Sequence, residues 1–177
     1  MNPPSALARP DRAWFIRSTG EDGSADIHGV GHATRVTIHA VELATVLRLP
    51  DRQVEAARLA GLWHDIGREH DGGDYFHGAR SAGKVIGLGL HRGIALPVLE
   101  LALLAVNFHN VEDRWGEDAA RFATEPGAAL AVFRVLKDAD TLDRVRFGRN
   151  RLDPRLLRFE ASHAMVARAV ELLHSVR

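Results

Sequence analysis

The sequence predicts an all-α fold, a single-domain helical bundle. Three observations carry that reading. Apolar residues recur at helical spacing in several long stretches. No run alternates with the period of two that a half-buried strand needs. Pro, Asp and Gly stand where those stretches begin and end.

Residues 1–26 read as an N-terminal extension, punctuated by Pro, Gly and Asp, with one short helix around Ala13 to Ser18. Residues 27–177 form the domain. The first long helix covers about Gly31 to Leu49, with Val36, Leu43, Val46 and Leu47 on one stripe, and Pro50 stops it. Asp51 is an N-cap for a second helix that runs to Gly67. The segment REHDGGDYFHG then reads as a loop, because paired glycines and aspartates resist regular structure.

A third helix is expected over Gly78 to Leu90, although Gly83, Gly87 and Gly89 weaken it unless it packs. A fourth runs from Ala95 to Asn110, and a short piece covers Glu112 to Phe122. Pro126 suits the first turn of a fifth long helix ending near Asp143. After the loop RFGRNRL, the pair Asp153-Pro154 reads as cap and first turn of a last helix extending to Val176. No repeat and no linker-like break divides the chain.

Composition narrows the function classes. With 23 basic and 23 acidic side chains the formal charge is zero, so the footprint of a nucleic-acid backbone binder is absent. Cysteine is absent too, so a metal site would use His and carboxylate ligands. The opening MNPPSALARPDR lacks an apolar core, so no signal peptide is expected. The apolar stretch Ile94 to Val106 is broken by Pro97 and Glu100 and is too short to span a membrane. A cytoplasmic protein is the expectation, and a homo-oligomer is compatible with the sequence.

Ten histidines are the one oddity, several beside Asp. His64-Asp65 ends a strongly apolar helix, at the edge of the core. His32 opens the first long helix with Val36 and His39 at i+4 and i+7, on its inward face. Asp140 follows Phe133 and Leu136 on a core-facing stripe, where a carboxylate needs a pair or a cation. His109 ends the fourth helix behind Ala102 and Ala105, and His77 lies in the Gly-rich loop. Several helices thus each offer a ligand-type residue, which is how bundles build metal sites.

The order His32 in HGVGHATRV, His64-Asp65 in HDIGR and Asp140 in DADTLD resembles the H…HD…D signature of the HD-domain superfamily. The resemblance extends over roughly Ile27 to Arg144. It implies a helical bundle that holds one or two divalent ions (Mn, Fe, Co, Ni, Zn or Mg) and hydrolyses phosphate esters. Its metal ligands would be His32, His64, Asp65 and Asp140. His77 and His109 are placed like the extra histidines of two-metal members, in which Asp65 would bridge the ions. Asp65, Asp74 and Arg68 are then expected at the reacting centre. Arg35, Lys137, Arg144 and His28 are expected to meet the substrate, a small phosphate ester or nucleotide. Many members read HDIGK, whereas this chain has Arg68, whose guanidinium is a fixed fork and no proton carrier. The same scaffold also carries di-iron oxygenases and non-catalytic nucleotide-binding regulators, which are the competing functions.

Blander readings stand beside these. His64 could merely complement a helix dipole, Asp140 could pair with an arginine, and His32 could bond a carbonyl in the core. His77 and His109 could simply lie near the cleft. His39, His70, His91, His163 and His174 read as helix-face or surface residues, and Arg146, Arg149 and Arg151 as solvated loop cations.

Overall fold

The computed structural model describes residues 10–15 and 27–176. Most of the expected N-terminal extension, with the second half of its short helix, lies outside those residues. Within them a single 3-10 turn, Arg12–Trp14, is capped by the Asp11 carboxylate, which accepts from Ala13 N at 2.9 Å.

Among the described residues eight α-helices follow: α1 (Val30–Val46), α2 (Asp51–Trp63), α3 (His77–Gly87), α4 (Leu96–Phe108), α5 (Asp113–Ala120), α6 (Pro126–Leu142), α7 (Glu160–Ala164) and α8 (Val166–Ser175). Among the described residues there is no strand, and no helix is long and apolar enough to cross a membrane. The all-α bundle of the sequence reading is therefore observed.

Helices α1, α2, α4 and α6 pack on one another in a ring: α1 on α2 and α6, and α4 on α2 and α6. Their inward stripes supply a core of fully buried side chains that includes Val36, Leu43, Leu101, Val106, Phe133 and Leu136. Burial of such stripes, at about 25 cal/mol per Å² of apolar surface, is what drives the helices together. Gly61 sets the α1–α2 distance, since an added Cβ there would sit 2.7 Å from the Thr37 Cα. Helix α3 lies on α4, and α5 on α4 and α6.

The boundaries differ from expectation at two informative places. Helix α2 begins at Asp51 with Pro50 as its cap residue, and ends at Trp63, so His64-Asp65 lies in the turn beyond it. Side chains of α3 bind that turn. Ser81 Oγ donates to His64 O (2.6 Å) and accepts from Gly67 N (2.8 Å), Arg80 Nε donates to Gly67 O (3.0 Å), and Lys84 Nζ donates to Ile66 O (2.9 Å). The carbonyls that any helix end leaves unpaired are thus satisfied from outside, and the His-Asp pair is fixed in direction.

The second difference is at the C-terminus. Asp153-Pro154 opens only a 3-10 turn, Pro154–Leu156, with Asp153 accepting from Arg155 N at 3.0 Å. The helix expected from there begins instead at Glu160 and breaks at Met165. The buried carboxylate of Asp138 explains it. It accepts from Arg158 N, Phe159 N and Ser162 Oγ, all within 3.0 Å, and holds the backbone of 157–159 extended against α6.

Candidate metal centre

Six ligand-type side chains converge at one end of the ring. His32 comes from the first turn of α1, His64 and Asp65 from the turn after α2, and His77 from the start of α3. His109 caps the C-terminus of α4, and Asp140 lies in the last turn of α6. All are buried except Asp140, whose side chain is 36% exposed and forms the open edge. The core-facing stripe of Phe133 and Leu136 therefore ends at the rim of a site, not in the interior.

The four imidazoles form two facing pairs. His32 Nε2 lies 3.0 Å from His64 Nε2, and His77 Nε2 lies 2.9 Å from His109 Nε2. The opposite nitrogen of every ring is already engaged. His32 Nδ1 meets Asp143 Oδ2 at 2.7 Å, and His64 Nδ1 meets Gly61 O at 2.9 Å. His77 Nδ1 meets Asp74 O at 2.5 Å, and His109 Nδ1 meets Val106 O at 2.7 Å. Each of these partners only accepts, so each Nδ1 carries the proton, and a neutral ring then presents a bare lone pair at Nε2. Two lone pairs facing at hydrogen-bond distance repel unless a proton or a cation lies between them.

Asp65 joins the pairs. Its Oδ2 lies 3.4 Å from His32 Nε2 and 3.6 Å from His64 Nε2; its Oδ1 lies 3.0 Å from His77 Nε2 and 3.5 Å from His109 Nε2. Oδ1 is buried without a hydrogen bond, an orphan acceptor beside two lone-pair nitrogens. Asp140 Oδ1 reaches His32 Nε2 at 3.4 Å and completes the first pair's surroundings.

The electrostatics favour positive charge here. Burial and the nearby Arg146 push the His32 imidazole down. The carboxylates of Asp140, Asp143 and Asp65 outweigh both and hold it up at about 10. Burial, with His32 and His109 acting in the same direction, pushes His64 down to about 3 against the pull of Asp65 and Asp140. Burial would raise the Asp65 carboxyl, but His64, His109, His28 and His32 hold it well below the usual carboxylate range. For Asp140 burial is likewise outweighed, by His32 and His64.

The residues fit a cation on three counts: preset Nε2 donors, an orphaned carboxylate oxygen, and backbone or carboxylate partners that fix each ring. His28, His32 and Asp65, then His32, His64 and Asp140, then His64, Asp65 and His109 each gather close enough to hold a metal ion.

The other residues singled out from the sequence are placed unevenly. His28 Nδ1 and Arg68 Nε reach Asp65 Oδ2 at 2.9 and 3.1 Å, so both sit at the centre. Asp74 fixes His77 through its backbone carbonyl, while its carboxylate pairs with Arg80. Arg35 is turned to Asp143, donating through Nε (2.6 Å) and Nη2 (3.0 Å), and its Nη1 donates to Val176 O (3.1 Å). That fork orients the carboxylate that in turn orients His32. Lys137 is taken up by Val111 O (2.6 Å) and Asp113 (2.9 Å), and Arg144 is exposed with its Nε on Arg151 O. The structure brings neither to the centre.

Two residues that matter here were passed over in the sequence. Asp143, fully buried, anchors His32; it stands three residues after Asp140, on the same side of the helix end, and that spacing was its signal. Arg146 reads as a solvated loop cation, yet its side chain is only 9% exposed and contacts Asp143. Set against protein-family models, curated proteins and solved structures, the chain matches none.

Proposed function

We propose that the protein is a metal-dependent phosphohydrolase of the HD-domain kind, acting on a small phosphate ester or nucleotide. The observation that carries the proposal is the double pair of facing Nε2 atoms with the Asp65 carboxylate spanning them. His32, His64, Asp65 and Asp140 would hold one divalent ion; His77, His109 and the second oxygen of Asp65 would hold another. All-nitrogen-and-oxygen ligation suits manganese, iron, cobalt, nickel or zinc.

Ions held there supply Lewis acidity towards a phosphoryl oxygen and bring the pKa of bound water towards neutrality. The chain's own groups do the rest. Asp143, Gly61, Asp74 and Val106 keep each imidazole in the tautomer that points Nε2 at the centre. Arg68 adds a fixed positive charge beside Asp65, where charge on the equatorial phosphoryl oxygens needs an offset. Hydrolysis forms one P–O bond to water, breaks the ester P–O bond and passes one proton to the departing alkoxide. His28, which donates to Asp65 through Nδ1 and whose burial favours the neutral ring, would take that proton from the attacking water at Nε2 and pass it on to the alkoxide.

Asp65→Ala and His64→Ala should each abolish metal content and phosphate release together. The checks are elemental analysis of freshly purified protein and a phosphate-release screen with the metal restored. Undiminished phosphatase activity in metal-free Asp65→Ala protein would overturn the proposal.

A further inference from the structure

Beside the metal centre lies a cavity of about 730 Å³, bounded by α1, α8, the 3-10 turn that follows α6, and the N-terminal turn. Its wall is largely apolar, from Ile27, Val30, Phe147, Leu173 and Val176, and His32 belongs to it. The ring that borders the cavity is thus the ring that faces the centre. The size suits a drug-sized organic group, which ligand pockets of a few hundred cubic ångströms commonly enclose.

Three arginines also line the cavity: Arg12, which is exposed, and Arg35 and Arg146, which lie against Asp143 and differ in what is left to them. Arg35 has Nε, Nη1 and Nη2 all committed. Arg146 donates only through Nη1, to Asp143 O at 3.1 Å and towards Asp143 Oδ2 at 3.4 Å. Its Nε is buried with no partner, and its guanidinium carbon lies 4.2 Å from the centroid of the Phe147 ring. A buried N–H left unmade is costly, so an anionic oxygen delivered to it is strongly favoured. Asp143 Oδ2 is shared among His32 Nδ1, Arg35 Nη2 and Arg146 Nη1, which puts the Arg146 guanidinium one carboxylate away from the centre.

We propose that this cavity is the subsite for the organic moiety of the substrate, and that Arg146 is the anion-holding residue between cavity and metal centre. The substrate class is then a phosphate monoester of a bulky apolar or aromatic alcohol. Its phosphoryl group lies at the histidine pairs with one oxygen on Arg146, and its organic part lies along Val30, Leu173 and Val176. The inference rests on the phosphohydrolase reading, and its test separates the two.

Metal-loaded protein is titrated calorimetrically with 1-naphthylphosphonate and with methylphosphonate, neither of which can be hydrolysed. The naphthyl compound should bind at least about tenfold more tightly, as burial of a bicyclic ring predicts. Leu173→Trp, which fills the cavity from α8, should erase that preference and leave methylphosphonate binding intact. Arg146→Met should weaken both compounds by about ten- to a hundredfold, with Arg146→Lys recovering part of the loss. Equal affinity for the two compounds, or a preference that survives Leu173→Trp, overturns the subsite whether or not the protein releases phosphate. Absence of phosphate release with the naphthyl preference present instead overturns the enzymatic reading and keeps the binding site.

Discussion

The two halves of the histidine cluster use the same donors in different surroundings. The His32–His64 half is built on α1, α2 and α6, the ring that also makes the core, and three carboxylates approach it: Asp65, Asp140 and Asp143. The His77–His109 half is built on α3 and α4, and its Nδ1 atoms meet only neutral groups, two carbonyls and, at His77, the Asn110 amide as well. The only carboxylate in direct reach of it, among the described residues, is Asp65. One of its carbonyls belongs to Asp74, in the irregular segment between Gly67 and His77, where Tyr75 and Phe76 stand exposed. Formal negative charge sets how tightly a cation is held, so the first half should fill first and the second later. Asp65, with one oxygen towards each, joins them, and His64 of one half lies edge to face with His109 of the other, ring centroids 5.1 Å apart.

The sharpest way to break this comparison is to remove one ring from each half. His64→Ala should leave the protein without bound metal, because the tighter half is lost. His77→Ala should retain roughly one ion per chain at moderate metal concentrations, since the carboxylate-rich half is intact. Metal-to-protein ratios after dialysis decide it. If both variants lose all metal alike, the halves do not bind independently and the asymmetry has no consequence.

A smaller effect is expected from the anchor. Asp143→Asn keeps an oxygen that can accept from His32 Nδ1 but removes the charge that makes that ring a strong donor to a cation. Loss of such a supporting carboxylate should weaken the first half by about ten- to a hundredfold, as measured by competition with a chromophoric chelator. Affinity of the second half should stay within about threefold, as independent sites do. Arg35 and Arg146 lose their counter-charge in this variant, so its folding is checked by circular dichroism first. A uniform loss across both halves would mean that Asp143 acts through the fold and not through His32.

The contrast between the halves also separates what the sequence makes legible from what it does not. Ligand-type residues on apolar stripes are visible, because His32 and Asp140 break a helical pattern whose other members, such as Val36 and Leu136, are wholly buried. Helix starts and stops at Pro50 and Pro126 are visible for the same local reason. Asp143 was hidden because its role runs through another side chain across 111 residues, and at a helix end it looks like a surface residue. Arg146 was hidden because RFGRNRL has the composition of a solvated loop; only the placement of Asp143 and Phe147 buries it. The shape of the C-terminal segment was set by Asp138, 20 or more residues away, against a strong local signal at Asp153-Pro154. Local periodicity reports burial, and it is silent about which distant group a buried polar atom will meet.

The smallest predicted effect concerns another imidazole on the face of α1 that carries His32. His39, two helical turns further on, is fully buried with no hydrogen bond at either ring nitrogen. Burial pushes it down to about 4; Asp143 and Glu42 pull it up and Arg168 and Arg35 push it down, without offsetting the burial. Its folded value is below the unfolded value of about 6.5, so the unfolded chain binds the extra proton as acid is added. The stability it contributes is complete above pH 6.5 and is lost as pH falls towards 4, about 1 kcal/mol of it by pH 5.5. His32 has the opposite sign, so the whole protein's pH profile mixes the two, whereas the difference between wild type and His39→Leu isolates His39. That variant, which places a side chain of similar size without polar atoms in the core, should gain about 1 kcal/mol on wild type between pH 8 and pH 5.5 by urea unfolding. A difference that stays constant over that interval would show that His39 is not held neutral in the fold. The reading of two like rings on one helix, one surrounded by carboxylates and the other left without a partner, would then be wrong at its simpler member.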